Sequence, residues 1–241
     1  MTRRLAPVLL AAALLAGCAS SPSGEVGEQP AAPAGPRADK ATARVVLAPD
    51  QIPGAFKGTR VILPAAALEA DGTADGILVV GGVSKGDAVL SPVEGLVVVD
   101  ADGRVLIDMA SALAWGKDLF IPRGGKGDLN ALLARAAAEG ASVFQAPMLL
   151  DGGRALSGAG VVEGAAARLT LYRDGAGSVG VLSSGAARPT LEAHLVELAS
   201  LGATEAVALD PAGLGGVVMR ARSAGVPLGD RAGGYLVLDM D

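Results

Sequence analysis

Leu169-Thr170-Leu171-Tyr172-Arg173-Asp174-Gly175-Ala176-Gly177-Ser178-Val179-Gly180-Val181-Leu182 is the stretch on which the fold class turns. Its centre, Gly175-Ala176-Gly177-Ser178-Val179-Gly180, spells a dinucleotide fingerprint, a motif that needs a strand before it and a helix after it. Here β-like runs lie on both sides of the glycines, so the segment predicts a hairpin whose turn is Arg173 to Gly177.

Two more hairpins follow the same grammar. Leu96-Val97-Val98-Val99 and Val105-Leu106-Ile107 flank Asp100-Ala101-Asp102-Gly103, and Met148-Leu149-Leu150 is joined to Arg154-Ala155-Leu156 by Asp151-Gly152-Gly153. Further strand-like runs are Arg44-Val45-Val46-Leu47, Arg60-Val61-Ile62-Leu63, Ile77-Leu78-Val79-Val80, Ala206-Val207-Ala208-Leu209, Val217-Val218-Met219 and Tyr235-Leu236-Val237-Leu238. Hairpins at this frequency imply a largely antiparallel or mixed sheet.

Two helices interrupt the strands. Asp128 reads as an N-cap for a helix with Leu129, Leu132, Leu133 and Ala136 on one face, ending near Gly140. Thr190 reads as the cap of a second, with Leu191, Leu195 and Leu198 on one face, Glu192 near the positive end and Gly202 as the stop. The fold class is therefore α+β: a mixed, largely antiparallel sheet with hairpins packed against amphipathic helices.

The N-terminus reads as an address. Arg3 and Arg4 precede an apolar run over residues 5–15, followed by Leu15-Ala16-Gly17-Cys18, which contains the only cysteine of the chain. This resembles a bacterial lipoprotein signal with its lipobox. The resemblance implies a signal peptide over residues 1–17, lipid on the Cys18 thiol, and a mature chain beginning at Cys18. The apolar run is shorter than the roughly 20 residues that span a bilayer, whereas several acyl chains at about 0.8 kcal/mol per buried methylene anchor stably. Ala19 stands where an aspartate would favour inner-membrane retention, so the expected location is the cell envelope, at the outer membrane if the cell has two. Residues 18–42 are rich in Pro, Ala, Ser and Gly and read as a flexible tether. Residues 43–241 read as one domain.

Composition narrows the function classes. The formal charge of −5 becomes about −7 once Arg3 and Arg4 leave, which argues against a nucleic-acid partner. With Cys18 lipidated, no thiol remains for a disulfide or a metal. One Trp, two Tyr and three Phe offer few stacking platforms, so a ligand is expected to be held mainly by polar groups and backbone.

Candidate chemistry is sparse. Arg123-Gly124-Gly125-Lys126-Gly127, before a helix start, suits either an anion or a surface loop. The sole histidine, His194, lies beside a helix's apolar face and reads as a boundary residue more readily than a general base. No G-x-S-x-G elbow accompanies it. Asp100, Asp102 and Asp108 surround one turn and read as solvated hairpin charges. No metal and no cofactor are expected.

Motif order adds a resemblance. Val79-Val80-Gly81-Gly82, Ser91-Pro92-Val93-Glu94-Gly95-Leu96, Phe120-Ile121-Pro122-Arg123-Gly124, Gln145-Ala146-Pro147-Met148-Leu149-Leu150-Asp151-Gly152, a strand containing Arg168, and Leu201-Gly202-Ala203 leading to Leu209-Asp210 occur in sequence. Over about residues 76–220 this order resembles the phosphodiester glycosidase family. The resemblance implies Asp210 and Arg168 as catalytic residues and Gly81, Gly82 and Gly213 as substrate-binding positions. An arginine fork suits a phosphodiester, and a carboxylate suits proton transfer or oxocarbenium stabilisation. Asp210 also reads as a strand-exit turn, and Arg168 as a surface strand residue.

The departures fall where chemistry is expected. Val80 replaces the asparagine of the family's N-G-G. Pro211-Ala212-Gly213-Leu214-Gly215 replaces its Gly-rich run, and proline removes an amide donor and fixes φ. Two functions stay open: a degenerate, membrane-anchored protein binding an anionic glycan or sugar phosphate, or serving as an envelope component, and an active hydrolase of sugar-phosphodiester or related glycosidic bonds.

Overall fold

The computed structural model of the chain describes residues 36–67, 74, 76–86, 94–120, 126–156, 161–184, 187–209, 217–220 and 232–241. In order, the elements are β1 (Arg37–Ala38), β2 (Ala41–Val46), β3 (Thr59–Ala67), β4 (Leu78–Val80), β5 (Val83–Ser84), β6 (Glu94–Val99), β7 (Val105–Met109), β8 (Leu113–Trp115) and β9 (Asp118–Phe120). Then come α1 (Lys126–Glu139), β10 (Ser142–Asp151), β11 (Arg154–Ala155), β12 (Leu169–Asp174), β13 (Val179–Ser183), α2 (Leu191–Ser200), β14 (Ala203–Leu209), β15 (Val217–Arg220) and β16 (Ala232–Met240).

All strand pairings between these elements are antiparallel. The stretch at 169–182 forms the hairpin β12–β13, with Tyr172 opposite Gly180, and the other two expected hairpins form as β6–β7 and β10–β11. The long strand β10 organises the larger sheet. Its Ser142 to Pro147 segment pairs with β6, Val143 and Phe144 also pair with β4, and Met148 and Leu150 pair with β14. Pro147, which has no amide to donate, sits where β10 leaves β6 and takes β14 as partner. A smaller sheet in the order β15-β3-β16-β2 joins chain segments far apart in sequence.

Alternation of side chains across the pleat explains the layers. Val97, Phe144, Leu171 and Val207 of the large sheet meet Val61, Leu63, Leu236 and Leu238 of the small sheet in one core. The opposite face of the large sheet is covered by the helices. Leu132 and Ala136 of α1 pack with Val98, Trp115 and Val143, while Leu198 of α2 packs with Leu150, Tyr172 and Ala206. The domain is thus an α+β sandwich, mixed in layers and antiparallel in pairing. Among the described residues no helix is long and apolar enough to cross a membrane.

Both helices form, with one boundary shifted. Thr190 caps α2 as expected, its side chain accepting from the Ala193 amide at 3.3 Å. Helix α1 begins at Lys126, so Asp128 lies inside its first turn.

Three expectations change. Residues 37–42, placed in the tether by composition, belong to the fold: β1 pairs with β13, β2 pairs with β16, and Ala38 is buried. Only Ala38 and Ala41 of these six residues are apolar, so no periodicity marks a strand and backbone pairing places them in the sheets. Asp108 is half-buried rather than a solvated charge; its carboxylate accepts from the Met109 and Ala114 amides, each at 2.8 Å, and holds the turn into β8. His194 is no boundary residue, being fully buried beneath α2.

Candidate functional site

Arg168 has become a clasp. It is 6% exposed, and its Nη2 donates to the carbonyls of Val162, Glu163 and Gly164 at 2.8, 3.4 and 2.7 Å while Nε donates to Pro189 at 3.1 Å. The guanidinium expected to meet a phosphodiester therefore binds four carbonyls of its own chain. Those carbonyls belong to the segments that lead into β12 and α2, and the Leu191 amide donates to Glu163 O at 2.9 Å. Arg168 fixes the start of α2 against the sheet.

Beside it lies a small cavity of about 40 Å³ lined by Arg168, Thr170, His194, Leu149 and Leu209. His194 Nε2 and Thr170 Oγ1 are 2.8 Å apart, and His194 Nδ1 has no hydrogen-bond partner among the described residues. Burial, and secondarily the positive charge of Arg168, lower the His194 pKa to about 4. The imidazole is therefore neutral at neutral pH, with one nitrogen committed to Thr170. The cavity is smaller by an order of magnitude than sites for small ligands, which run from about 300 Å³ upward.

Gly81 and Gly82 form the turn between β4 and β5, and both amides are engaged within the fold. Gly81 N donates to Ser142 Oγ at 3.1 Å and Gly82 N to Ala141 O at 2.9 Å. Gly82 has φ +81° and lies so close to α1 that an added Cβ would stand 2.6 Å from Ala137 Cα. Gly82 thus packs on α1, whereas a Cβ at Gly81 would meet nothing within 4 Å. The small cavity beside Arg168 is not lined by this turn. Asp210, Gly213, Pro211, Cys18 and residues 123–125 of the Arg123 loop lie outside the described residues.

A larger groove, of about 510 Å³, opens at the other end of the β12–β13 hairpin. Lys40, Arg104 and Arg173 bring three cations to it, Asp39 and Asp100 bring two carboxylates, and Trp115 joins its apolar wall with Val98 and Leu106. Arg173 follows Arg168 by five residues along an extended strand, about 17 Å at the usual rise, and an odd offset places the two on opposite faces. The groove is thus a separate place from the Arg168 clasp.

Local structure explains how the groove is held. Asp174 is buried; its Oδ1 accepts from the Ala176 and Ser178 amides, each at 2.9 Å, closing the hairpin turn. Its other oxygen pairs with Arg37 of β1. Burial alone would raise the Asp174 pKa, but the Ser178 and Ala176 amides, then Arg37 and the Gly177 amide, outweigh it and hold the carboxyl below the usual range. Ser178 Oγ donates to Asp39 at 3.0 Å, which ties the 39–40 link to the same turn. On the facing hairpin, Asp100 Oδ1 accepts from the Arg104 amide at 2.8 Å. On the far side, Trp115 packs beneath Arg135, whose guanidinium carbon is 4.6 Å from the ring centroid.

Sequence reading did not find this groove. Arg104 and Arg173 each adjoin an Asp-containing hairpin turn, a local signal, but nothing in the chain order says that the two turns meet.

The chain is similar to a number of solved structures, among them the following two. One is a hypothetical protein from Synechocystis, with TM-score 0.44 and 14% identity, covering 83% of this chain and 57% of that one. The other is the zebrafish N-acetylglucosamine-1-phosphodiester alpha-N-acetylglucosaminidase catalytic domain, auto-inhibited by its pro-peptide, with TM-score 0.49 and 12% identity, covering 83% of this chain and 73% of that one. The chain thus spans little more than half the length of the Synechocystis protein. No family model matches the sequence, and no curated protein matches it. At these values the likeness is one of fold outline and assigns no role to any residue.

Proposed function

We propose that this chain is a lipid-anchored envelope protein, held through Cys18, whose domain binds an anionic glycan or sugar phosphate without turning it over. The observation that carries the non-catalytic reading is the engagement of Arg168 by the carbonyls of Val162, Glu163, Gly164 and Pro189. A guanidinium so held is unavailable to a phosphodiester unless it gives up these hydrogen bonds. Val80 and Pro211, at positions where the resembled family carries asparagine and glycine, support the same reading.

The test has two arms. Purified full-length protein incubated with a chromogenic sugar-phosphodiester is expected to release no product, and sustained turnover overturns the reading in favour of an active hydrolase. Cells fed labelled palmitate are expected to label the wild-type chain and not Cys18→Ala; equal labelling of the two removes the anchor.

A further inference from the structure

We propose that the groove between the 39–40 link, the 100–104 turn and Arg173 is a binding site for an acidic saccharide. The proposal locates the binding that the preceding reading leaves without a site, and it rests on that reading for the absence of turnover. Its ligand class comes from the groove's own chemistry.

Its size is the first point: about 510 Å³ falls within the roughly 300–1,000 Å³ of small-molecule sites. The charge pattern is the second. Lys40 and Arg173 make no ion pair among the described residues, and Arg104 has only an exposed contact with Asp102 at 3.7 Å. An exposed pair of that kind contributes little, so Lys40 and Arg104 are available to an anionic group, while Arg173 also faces the Asp108 carboxylate. Asp39 and Asp100 oppose a bare anion at the same place, but carboxylates accept hydrogen bonds from hydroxyls. Cations beside carboxylates therefore suit a ligand that carries both an acidic group and hydroxyls.

The wall supplies the third point. Trp115 is 7% exposed, with Arg135 over its ring, so with Val98 and Leu106 it gives the groove a narrow apolar edge for the C–H groups of a sugar. The only tryptophan of the chain is thus placed in the groove. The frame around it is preorganised: the Asp174 carboxylate and Arg37 fix one wall, and the Asp100 turn fixes the other. An acidic sugar entering here meets groups already in place.

The single tryptophan makes the test direct. Detergent-solubilised full chain is titrated with oligogalacturonate, glucose 6-phosphate, maltotetraose and inorganic phosphate while Trp115 fluorescence is read. A saturable change is expected with at least one of the two acidic sugars, which separates carboxylate from phosphate as the acidic group. None is expected with maltotetraose or inorganic phosphate at the same concentrations. The Lys40→Ser, Arg104→Ser double variant, altered only at exposed side chains, is expected to bind at least about tenfold more weakly, the scale of a lost charge-assisted hydrogen bond, with an unchanged circular dichroism spectrum. Undiminished binding by that variant in calorimetry overturns the groove while leaving the binding reading intact. Loss of binding in the variant together with phosphodiester turnover by the wild type keeps the groove and overturns the non-catalytic reading. Equal response to inorganic phosphate overturns the saccharide class, and no response to either acidic sugar overturns the site.

Discussion

Arg60 and Asp239 stand opposite each other on β3 and β16 and join by two parallel hydrogen bonds, Nε to Oδ1 at 2.5 Å and Nη2 to Oδ2 at 2.7 Å. The arginine is 1% exposed, its Nη2 also donates to Ala55 O at 3.3 Å, and its guanidinium carbon lies 4.4 Å from the Phe56 ring centroid. One pair thus joins the start of the domain to its last strand. Asp239→Ala leaves that guanidinium buried without its counter-charge and is expected to cost about 3–5 kcal/mol, measured by urea denaturation. A cost below about 1 kcal/mol would show that the pair behaves like a surface contact.

His194 makes stability depend on pH in a defined window. Its folded pKa, about 4, lies below the ordinary 6.5, so between these values the unfolded chain binds the extra proton. Stability from the neutral imidazole is complete above pH 6.5 and is lost as pH falls toward 4, at no more than about 1.4 kcal/mol per pH unit. Asp174, whose folded pKa is depressed, adds a loss that begins only in the more acid range, as pH drops below the ordinary 3.8 of its unfolded carboxyl. Chemical denaturation of wild type and His194→Gln at half-unit steps from pH 7 to 4 should show the slope in the wild type and its flattening in the variant.

Arg168→Met is expected to destabilise the domain by about 1–3 kcal/mol, because it removes the donor that ties the 162–164 and 189 carbonyls together ahead of β12 and α2. Arg168→Lys should recover only part of this, since an ammonium lacks the planar fork. At temperatures where both variants remain folded, affinity for an acidic sugar should match the wild type. A selective loss of binding in stably folded Arg168→Lys would return Arg168 to a ligand role.

The glycine turn tests packing against recognition. Gly82→Ala introduces a Cβ 2.6 Å from the Ala137 backbone at φ +81°, whereas Gly81→Ala, at φ +54°, meets nothing within 4 Å. The Gly81 change should cost about 1–2 kcal/mol from the left-handed backbone alone. Gly82→Ala should cost clearly more, because α1 must also shift. Thermal melts compare the two, and equal costs would mean that the turn does not press on the helix.

Local chemistry was the legible part of the fold. Asp-Gly turns at 102–103, 151–152 and 174–175 and the Thr190 cap are encoded in adjacent residues, and each forms. The short strand β1 was not legible: two residues carry no periodicity, and Arg37 becomes structural only through Asp174, far along the chain. The candidate site was less legible still. The identity of Arg168 says that a cation is present, but its destination depends on which carbonyls stand nearby once β12 and α2 are packed.

Read alone, the hairpin at 169–182 excluded a nucleotide-binding sheet, because a turn between two strands is a matter of neighbouring residues and their backbone preferences. The antiparallel α+β class and the two helices followed from the same kind of local pattern. Tertiary structure alone decided that Arg168, just before β12, and Arg173, five residues on and within it, have opposite fates. One is turned beneath α2 and consumed by backbone acceptors; the other opens on a groove whose remaining charges come from the 39–40 link and the 100–104 turn. Side-chain alternation separates the two arginines, and long-range strand pairing chooses their surroundings, which no short stretch of sequence contains.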